Sequence, residues 1–271
     1  MDLKLQGKRA LVTGASSGIG AGIAAWLARE GAAVVVHGRN LERALAVAEA
    51  IRGGGGQAAI AIGDLSNDEG AGATAEAALK AFNGIDILVN NAGGRSSDGG
   101  ASDWLGPSPQ AWVDTYQMNT VASVRMIHHL APPMRERGWG RLIQLSSSAA
   151  NSPNAGIAHY AAAKASIINL SVSLSKAFAH TGVTANTVSP GMIRTPALDE
   201  WFDALARDKG WEGDRARTEA WVLETIVQQT VSRIGEVDDI GALVAFLASP
   251  LADFINGANF RADGGRSPGV N

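Results

Sequence analysis

Short apolar runs alternate with longer amphipathic segments along most of this 271-residue chain. The short runs predict buried β-strands at 9–12, 34–36, 58–62, 85–89, 141–145 and 183–188. The longer segments predict helices at 19–30, 41–51, 67–82, 109–134 and 158–179, the second of which ends at four consecutive glycines. Strands that are apolar throughout and separated by helices are typical of a parallel sheet that is covered on both faces.

A doubly wound sheet follows from this alternation, because right-handed crossovers place helices on both faces of a parallel sheet. The sequence therefore predicts an α/β fold of the Rossmann type, and with no linker or repeat we expect one domain over 1–271. A helical pattern at 197–231 interrupts the alternation, and we expect a helical substrate lid at about 192–232. The aromatic residues of this lid form either an apolar substrate wall or packing contacts within the protein or with a neighbouring subunit. They are Trp201, Phe202, Trp211 and Trp221.

Composition and charge narrow the class of protein. The net charge of −3 predicts no nucleic-acid partner. The absence of cysteine excludes disulfides, thiolate metal ligands and thiol catalysis, and the histidines show no metal-ligand spacing with acidic residues, so we expect no metal. The chain has no apolar run of about 18 residues, so we expect no membrane span. Its first residues lack the pattern of a signal peptide, and we expect a cytoplasmic protein.

The stretch TGASSGIG at 13–20 lies between the first predicted strand and the first predicted helix. Glycine there permits positive φ angles and a close approach of the backbone to a pyrophosphate. The start of the helix points free N–H groups and the positive end of its dipole at phosphate oxygens. A glycine-rich turn with a purely structural role is the alternative, but the strand–turn–helix setting predicts a dinucleotide site.

The end of the second strand predicts which dinucleotide binds. NAD-binding units carry an Asp or Glu there for the ribose 2′-hydroxyl, whereas this chain has VHGRN at 36–40. The planar fork of Arg39 suits a 2′-phosphate, so we predict NADP(H), with His37 placed for a second contact. The alternative is that Arg39 is a solvated loop residue. Asp64, after the third strand, is placed either to accept a hydrogen bond from an adenine amino group or to cap a turn.

Ser147, Tyr160 and Lys164 form the arrangement S-x12-Y-x3-K farther along the chain. Tyr160 and Lys164 share one helix face, and we expect the ammonium to lower the phenol's pKa from its ordinary value of about 10. Ser147 ends the fifth strand, where ligands bind in open α/β sheets, and its hydroxyl can hold a substrate oxygen. Strand alternation does not separate it from the serines on either side, but the spacing favours it. For Asn119, inside a long predicted helix, the residues alone favour a helix–helix hydrogen bond.

The phosphate loop and this second motif together predict a nicotinamide-dependent oxidoreductase of carbonyls and alcohols. They resemble the motifs of the short-chain dehydrogenase/reductase family, and the resemblance covers nearly the whole chain. The phosphate loop matches the family's T-G-x3-G-x-G, and NNAG at 90–93 matches its motif after the fourth strand. NTVSPG at 186–191 resembles the segment that packs on the nicotinamide. RIG at 233–235 and DGG at 263–265 resemble the family's C-terminal pattern.

The resemblance implies a role for each residue of the site. Tyr160 exchanges a proton with the substrate oxygen, which Ser147 positions, and Lys164 lowers the pKa of Tyr160 and binds the ribose. Asn119 is implied to hold a water that links Lys164 to solvent. The residues expected to bind the cofactor are Gly14, Ser16, Ser17, Gly18, Ile19, Gly20, Arg39, Asn40, Asp64, Leu65, Asn91, Ala92, Gly93, Tyr160, Lys164, Pro190, Gly191, Ile193 and Thr195.

The pattern at 36–40 is most similar to NADPH-preferring ketoreductases, including those of the 3-oxoacyl-thioester reductase type. The family's usual assembly implies a homotetramer, or else a homodimer. Residues 94–107 depart from the family in being long and polar, and we expect them near the site entrance. His159, beside Tyr160, is a further residue that could line the site. An NAD-dependent alcohol or sugar dehydrogenase and a non-catalytic NADP-sensing protein remain as alternatives, and neither the substrate nor the reaction's direction follows from the residues.

Overall fold

Seven parallel strands form one sheet in the computed structural model, which describes residues 1–95 and 103–269. The strand order is β3-β2-β1-β4-β5-β6-β7. The strands are β1 (Arg9–Val12), β2 (Ala33–Gly38), β3 (Gln57–Ile62), β4 (Ile87–Asn90), β5 (Gly140–Leu145), β6 (Val183–Pro190) and β7 (Asn259–Ala262). The helices are α1 (Gly18–Arg29), α2 (Leu41–Gly53), α3 (Asp68–Phe82), α4 (Pro109–Tyr116), α5 (Ala122–Glu136), α6 (Ser148–Asn151), α7 (Ala158–Ala177), α8 (Pro196–Lys209), α9 (Arg215–Val222) and α10 (Val237–Ala248).

The central strands are buried on both faces, so alternate residues enter different cores. In β1, Ala10 and Val12 pack in a core shared with α1, α2 and α10, whereas Leu11 packs in a second core with α3 and α5. Val35 of β2 lies in the second core, and its neighbours along the strand lie in the first. This two-sided burial confirms the predicted doubly wound sheet of the Rossmann type.

The strand order changes direction between β1 and β4, and the site lies at this point. β1 pairs with β2 on one side and with β4 on the other, so the loops after β1 and β4 leave the sheet side by side. Ligands of open α/β sheets bind in the crevice outside the carboxyl ends of the strands at such a point. The predicted phosphate loop and the NNAG stretch are these two loops.

The six predicted strands are confirmed, with ends that differ by at most two residues. The sequence analysis missed β7, a four-residue edge strand that is only half-buried, and α10, which packs against α1. The long helix predicted at 109–134 has a different form, because a π-helical turn at Gln117–Val121 separates α4 from α5. Such turns occur where a helix bends its backbone around a functional group.

The segment predicted as a lid contains α8 and α9 and a small core of its own. Phe202, Val222, Val227 and Ile234 are buried there together. Trp211 packs edge-on against Trp221, with 6.0 Å between their ring centroids. Trp201 packs edge-on against Phe202 at 5.3 Å, so all four lid aromatics make packing contacts within the segment. Trp201 keeps 39% of its surface exposed.

In the described part of the chain, no helix is long and apolar enough to cross a membrane.

Candidate active site

The phosphate loop is held open by glycine at positions that no side chain could occupy. Gly14 has a φ of +64° and Gly18 a φ of +56°. A Cβ atom on Gly20 would collide with the Gly14 carbonyl oxygen and lie 2.9 Å from the Ala15 Cα. Ser17 precedes α1 but makes no side-chain cap bond. The first N–H groups of α1 are therefore left for another acceptor, as an anion site requires.

Two polar side chains tie this loop to the loop after β4. Thr13 Oγ1 accepts hydrogen bonds from the backbone N–H groups of Asn91 and Ala92, each at 3.0 Å. Asn91 Nδ2 donates to the carbonyl oxygens of Thr13, at 2.9 Å, and Gly14, at 3.1 Å. The Asn91 amide is thus used to shape the phosphate loop, so any contribution it makes to a dinucleotide is indirect.

A cleft of about 510 Å³ runs from the phosphate loop across the carboxyl ends of β2, β3 and β4. It brings together nine of the predicted cofactor residues from four separate loops. They are Gly14, Ser16, Ser17, Arg39, Asn40, Asp64, Leu65, Ala92 and Gly93. The sequence analysis missed Arg43 and Arg95, which also line this cleft.

His37 does not reach outward for a phosphate, and the predicted second contact is wrong. The ring is 2% exposed, and both of its nitrogens are used within the protein. Nδ1 accepts from the Gly14 N–H at 3.0 Å, and Nε2 lies 3.1 Å from the Gly63 carbonyl oxygen. This pairing requires a neutral ring with its proton on Nε2. Burial lowers the pKa of His37 and favours the same neutral state.

The cleft's two arginines near β2 have no direct ion-pair partner in the described ranges, although the charge of Arg39 reaches Asp64. Arg39 is exposed, and no residue of the described ranges pairs with its guanidinium or with that of Arg43. The Asn40 side chain caps α2 by accepting from the Arg43 N–H at 2.9 Å. Arg43 lies four residues after Arg39, in the first turn of α2, and this spacing is the signal that could have predicted it.

Asp64 closes a turn and lines the cleft at the same time. Its Oδ1 accepts from the Ser66 N–H at 3.0 Å. This hydrogen bond is the main reason that the pKa of Asp64 lies below its ordinary value. Both alternatives raised by the sequence are therefore compatible with its position.

Three consecutive serines follow β5, and the structure separates them. Ser146 is buried and donates to the Lys164 carbonyl oxygen at 2.7 Å. Ser148 is buried at the start of α6. Ser147 caps α6, accepting from the Ala149 N–H at 3.2 Å, and its hydroxyl is close enough to Tyr160 to lower the pKa of the phenol. Of the three, Ser147 is the one that faces the phenol.

The Tyr160 hydroxyl is a protonated group in this arrangement. Burial raises the pKa of the phenol, and the hydrogen bond from Ser147 and the charge of Arg95 offset only part of that rise. The expectation that Lys164 lowers this pKa is wrong for the chain by itself. Lys164 Nζ lies 5.8 Å from the centroid of the Tyr160 ring and donates instead to the Leu145 carbonyl oxygen at 2.8 Å.

Lys164 is itself a buried cation, with 4% of its surface exposed. Burial lowers its pKa from 10.5 to about 8. A neutral amine and an ammonium are therefore both accessible near physiological pH, which suits a group that passes protons on.

Asn119 lies in the π-helical turn and does not bridge two helices as the residues alone suggested. Its Oδ1 accepts from the Gly94 N–H at 3.1 Å, and its Nδ2 donates to the carbonyl oxygens of Gly94 and Thr115, both at 2.7 Å. A Cβ on Gly93 would touch Asn119 and lie 3.3 Å from Lys164 Nζ. Asn119 therefore fixes the loop after β4 directly beside the lysine.

The segment after β6 completes the crevice on the other side of the phosphate loop. Gly191 packs against Asp263, where a Cβ would lie 2.7 Å from the Asp263 Cα. Ile193 is buried and pairs with Gly235 in an isolated bridge. Thr195 caps α8, and its methyl group would lie 3.3 Å from a Cβ on Gly18. The predicted residues from Pro190 onward thus adjoin the start of α1.

The described residues contain no group of three His, Cys, Asp or Glu side chains that could hold a metal ion. The chemistry available at the carboxyl edge is therefore a phenol, a serine hydroxyl, a buried amine and an anion-binding loop.

Comparisons with known proteins agree with this architecture. The family model of the short chain dehydrogenases matches residues 8–206, and the chain belongs to this family. The 3-oxoacyl-[acyl-carrier-protein] reductase FabG of Vibrio cholerae is 35% identical over 97% of this chain and 98% of that protein. The family expectation drawn from the motifs is thereby confirmed.

Two solved structures share the fold over nearly their full length. L-sorbose reductase from Gluconobacter frateurii, complexed with NADPH and L-sorbose, superposes with a TM-score of 0.92 at 30% identity and full coverage of both chains. A 7α-hydroxysteroid dehydrogenase complexed with NADH and a 7-oxo bile acid gives 0.84 at 30% identity, covering 100% of this chain and 98% of that one. The chain is therefore an oxidoreductase of this family.

Replacing Lys164 by Met should stabilise the protein at pH 7 while removing the buried charge. Because the folded pKa lies below the unfolded one, the folded state bears the full cost of the charge below pH 8 and is relieved of it as pH rises towards 10.5. That cost is about 3 kcal/mol at 1.36 kcal/mol per pKa unit. Losing the hydrogen bond to the Leu145 carbonyl oxygen destabilises the variant by about 1 kcal/mol and offsets part of this gain. We expect a gain of about 2 kcal/mol in the free energy of unfolding by urea at pH 7.

The pH dependence distinguishes this explanation from better packing of methionine. The gain should disappear by pH 10, where the wild-type lysine is largely neutral in the folded state. Lys176→Met, an exposed substitution in the last turn of the same helix, serves as the control and should change stability by a few tenths of a kcal/mol. An equal gain at both pH values would contradict the assignment of a charged, desolvated Lys164.

Proposed function

We propose that this chain is an NADP(H)-dependent oxidoreductase that interconverts a carbonyl and a secondary alcohol, with Tyr160 as the general acid and base. The observation that carries the proposal is the group formed by Ser147, Tyr160 and the buried Lys164, whose Nζ lies 5.8 Å from the centroid of the Tyr160 ring. It lies at the same edge of the sheet as an uncapped helix start and a cleft with two unpaired arginines.

The cleft fits a dinucleotide carrying a 2′-phosphate. The phosphate loop leaves no room for a Cβ at Gly20, and the first N–H groups of α1 are free of a side-chain cap. Arg39 and Arg43 supply the positive charge that a 2′-phosphate requires at the end of β2. No carboxylate follows β2 to receive a ribose 2′-hydroxyl, and this supports NADP(H) over NAD(H).

Tyr160 would hold and move the proton at the substrate oxygen. When bound, the nicotinamide supplies or accepts a hydride at the substrate carbon. Because burial keeps the phenol protonated at neutral pH, its hydroxyl can donate to a carbonyl oxygen that gains negative charge. Ser147 would donate a second hydrogen bond to the same oxygen. This protonation state favours the reduction of a carbonyl in the protein as it stands.

Lys164 and Asn119 would support that proton transfer. The lysine's pKa of about 8 allows it to exchange a proton near physiological pH. Asn119 holds Gly94 at two points and thereby keeps the loop after β4 against Lys164. We propose that these residues provide the path by which Tyr160 regains its proton.

An NAD-dependent alcohol dehydrogenase is the second candidate, and the structural neighbour complexed with NADH is the observation that favours it. The two candidates differ in what they require of Arg39, which only an NADP(H)-dependent enzyme needs. A protein that merely senses NADP has no support from the relatives, whose names describe reductases and dehydrogenases.

We propose further that the chain forms one domain, that the 192–232 segment acts as the substrate lid, and that the protein assembles as a homotetramer or homodimer. The lid proposal is supported by the contact between Thr195 and the phosphate loop. The assembly is supported by exposed apolar side chains on α4 and α7, including Val113 and Tyr116. These helices would form an interface with a second copy.

The proposed function is tested by following NADPH and NADH oxidation at 340 nm with a panel of ketones, β-keto thioesters and diketones. We expect turnover with NADPH and at least tenfold less with NADH at equal concentrations. Binding of each nucleotide is measured separately from the fluorescence of the seven tryptophans. Tight NADPH binding without turnover in either direction would favour the sensor, and a preference for NADH would favour the second candidate.

A further inference from the structure

Arg95 stands beside the catalytic group without a role in the proposed reaction. It follows Gly94, whose N–H and carbonyl groups are both bonded to the Asn119 side chain, at 3.1 and 2.7 Å. Asn119 in turn adjoins Lys164 through Gly93. The start of this loop is therefore fixed, and the Arg95 backbone is held at the carboxyl edge of β4.

The charge of Arg95 is unbalanced within the described residues. Its side chain is exposed in the cleft, and none of residues 1–94 and 103–269 forms an ion pair or hydrogen bond with it. Among the described lining residues, the one acidic side chain is Asp64, at the end of β3. β3 is an edge strand, and β2 and β1 lie between it and β4, the strand that Arg95 follows.

The Arg95 charge acts on the reacting end of the cleft. After burial and the Ser147 hydrogen bond, it is the remaining influence on the pKa of the Tyr160 phenol, and it opposes the rise. Burial foremost, and then Arg95, lower the pKa of His159. Arg39 and Arg43 do not act on either group, which agrees with their place near β2.

An aromatic row lies on the side of His159, the ring that the charge of Arg95 reaches. His159 is 1% exposed, its ring nitrogens have no partner among the described residues, and it packs 6.1 Å from the Trp112 ring. Trp104 continues this aromatic row at 5.4 Å from Trp112. A neutral His159 provides no countercharge. A cation beside an aromatic wall and a proton donor is a site that binds an anion and orients its apolar part.

We infer that the substrate carries an anionic group, either a carboxylate or a phosphate ester, that pairs with Arg95 while its carbonyl lies at Tyr160. This inference rests on the proposed function and adds to it the chemical class of the substrate. Arg95 is then a binding residue that sets specificity, and the distance between the anion and the carbonyl selects among the acids.

The test compares matched carbonyl compounds with and without the charge. The first arm pairs 2-oxobutanoate, 3-oxobutanoate and 4-oxopentanoate with their methyl esters, and the second pairs dihydroxyacetone phosphate with dihydroxyacetone. Each is assayed with NADPH in the wild type, in Arg95→Gln and in Arg135→Gln. Arg135 is an exposed arginine near the end of α5, at the amino ends of the strands, whereas the site lies at their carboxyl ends. Its variant therefore makes the same charge change outside the site.

We expect the wild type to prefer at least one acid over its neutral partner by tenfold or more in kcat/KM. Arg95→Gln should lower kcat/KM for that acid by about 10- to 100-fold, the effect of one charged hydrogen-bonded pair. The loss on the neutral partner should be at least tenfold smaller, so that Arg95→Gln loses the preference for the acid, and all activities of Arg135→Gln should stay within twofold. The arm that shows the preference identifies the anion as a carboxylate or a phosphate ester.

Failure of this inference and failure of the proposed function give different results. Turnover of the neutral compounds with no preference for acids, or an equal loss on both in Arg95→Gln, overturns the anionic substrate and leaves the reductase intact. If no compound is turned over, the proposed function fails on this panel. Binding of the same acids to the NADP⁺ complex, followed by tryptophan fluorescence, then decides the inference: equal affinity of wild type and Arg95→Gln overturns it.

Discussion

Replacing Tyr160 by Phe should lower kcat for carbonyl reduction by about 10²- to 10⁴-fold, the range of a lost general acid. The substitution removes the hydroxyl that hydrogen-bonds to Ser147 and keeps the ring, which lies 5.8 Å from Lys164 Nζ. Because Tyr160 is only partly buried and its ring contacts are kept, the free energy of unfolding should change by no more than about 1 kcal/mol. Steady-state kinetics with NADPH and a urea unfolding curve measure the two effects.

The chain offers a matched control for this change. Tyr116 is the chain's other tyrosine, lies at the end of α4 and is 46% exposed. Tyr116→Phe should leave kcat within twofold of the wild type. A Tyr160→Phe variant that keeps more than a tenth of the wild-type kcat would mean that another group supplies the proton.

Replacing Arg39 by Asp should reverse the preference between NADPH and NADH. The wild type loses a charged hydrogen-bonded pair with the 2′-phosphate, worth about 1.5–3 kcal/mol, and the new carboxylate repels that phosphate. The same carboxylate can accept from the ribose 2′-hydroxyl of NADH. We expect the ratio of kcat/KM for NADPH to that for NADH to fall by about 10²- to 10⁴-fold.

The control for Arg39 is an arginine on the helix that follows it, outside the cleft. Arg52, in the last turn of α2, donates to the Ala58 carbonyl oxygen and does not line the cleft. Arg52→Asp should leave the ratio unchanged within twofold. If Arg39→Asp also leaves it unchanged, Arg39 is a solvated loop residue and the NADP(H) assignment fails. A partial loss that becomes complete when Arg43→Ala is added would assign part of the 2′-phosphate to Arg43.

Periodicity predicted the sheet well, because strands buried on both faces are unambiguous apolar runs. It missed β7, whose sequence NFRA has no such run, and the pairing of β7 with β6 is a tertiary effect. The π-helical turn at Gln117–Val121 was equally invisible, because it inserts one residue into an otherwise helical pattern. Asn119 lies in that turn, so its hydrogen-bond partners could not be predicted from the sequence.

Motif spacing predicted that Tyr160 and Lys164 lie close together, but not their electrostatics. The lysine was expected to lower the pKa of Tyr160, yet Lys164 is itself desolvated and donates to a backbone carbonyl. His37 illustrates the same limit. Nothing in the sequence distinguishes a histidine that contacts a ligand from one that is buried and hydrogen-bonds to the backbone, as His37 does. Arg43 and Arg95 became candidates only when their loops met at the carboxyl edge of the sheet.

Hydride transfer is the central claim, and isotope transfer tests it most directly. NADPH that carries deuterium at C4 is incubated with the wild type and the carbonyl compound that it reduces fastest, and the product is analysed by mass spectrometry and NMR. We predict one deuterium on the carbinol carbon from one face of the nicotinamide, and no labelled product with Tyr160→Phe on the same timescale. Consumption of NADPH without label in the product, or equal labelling by the variant, would contradict this account.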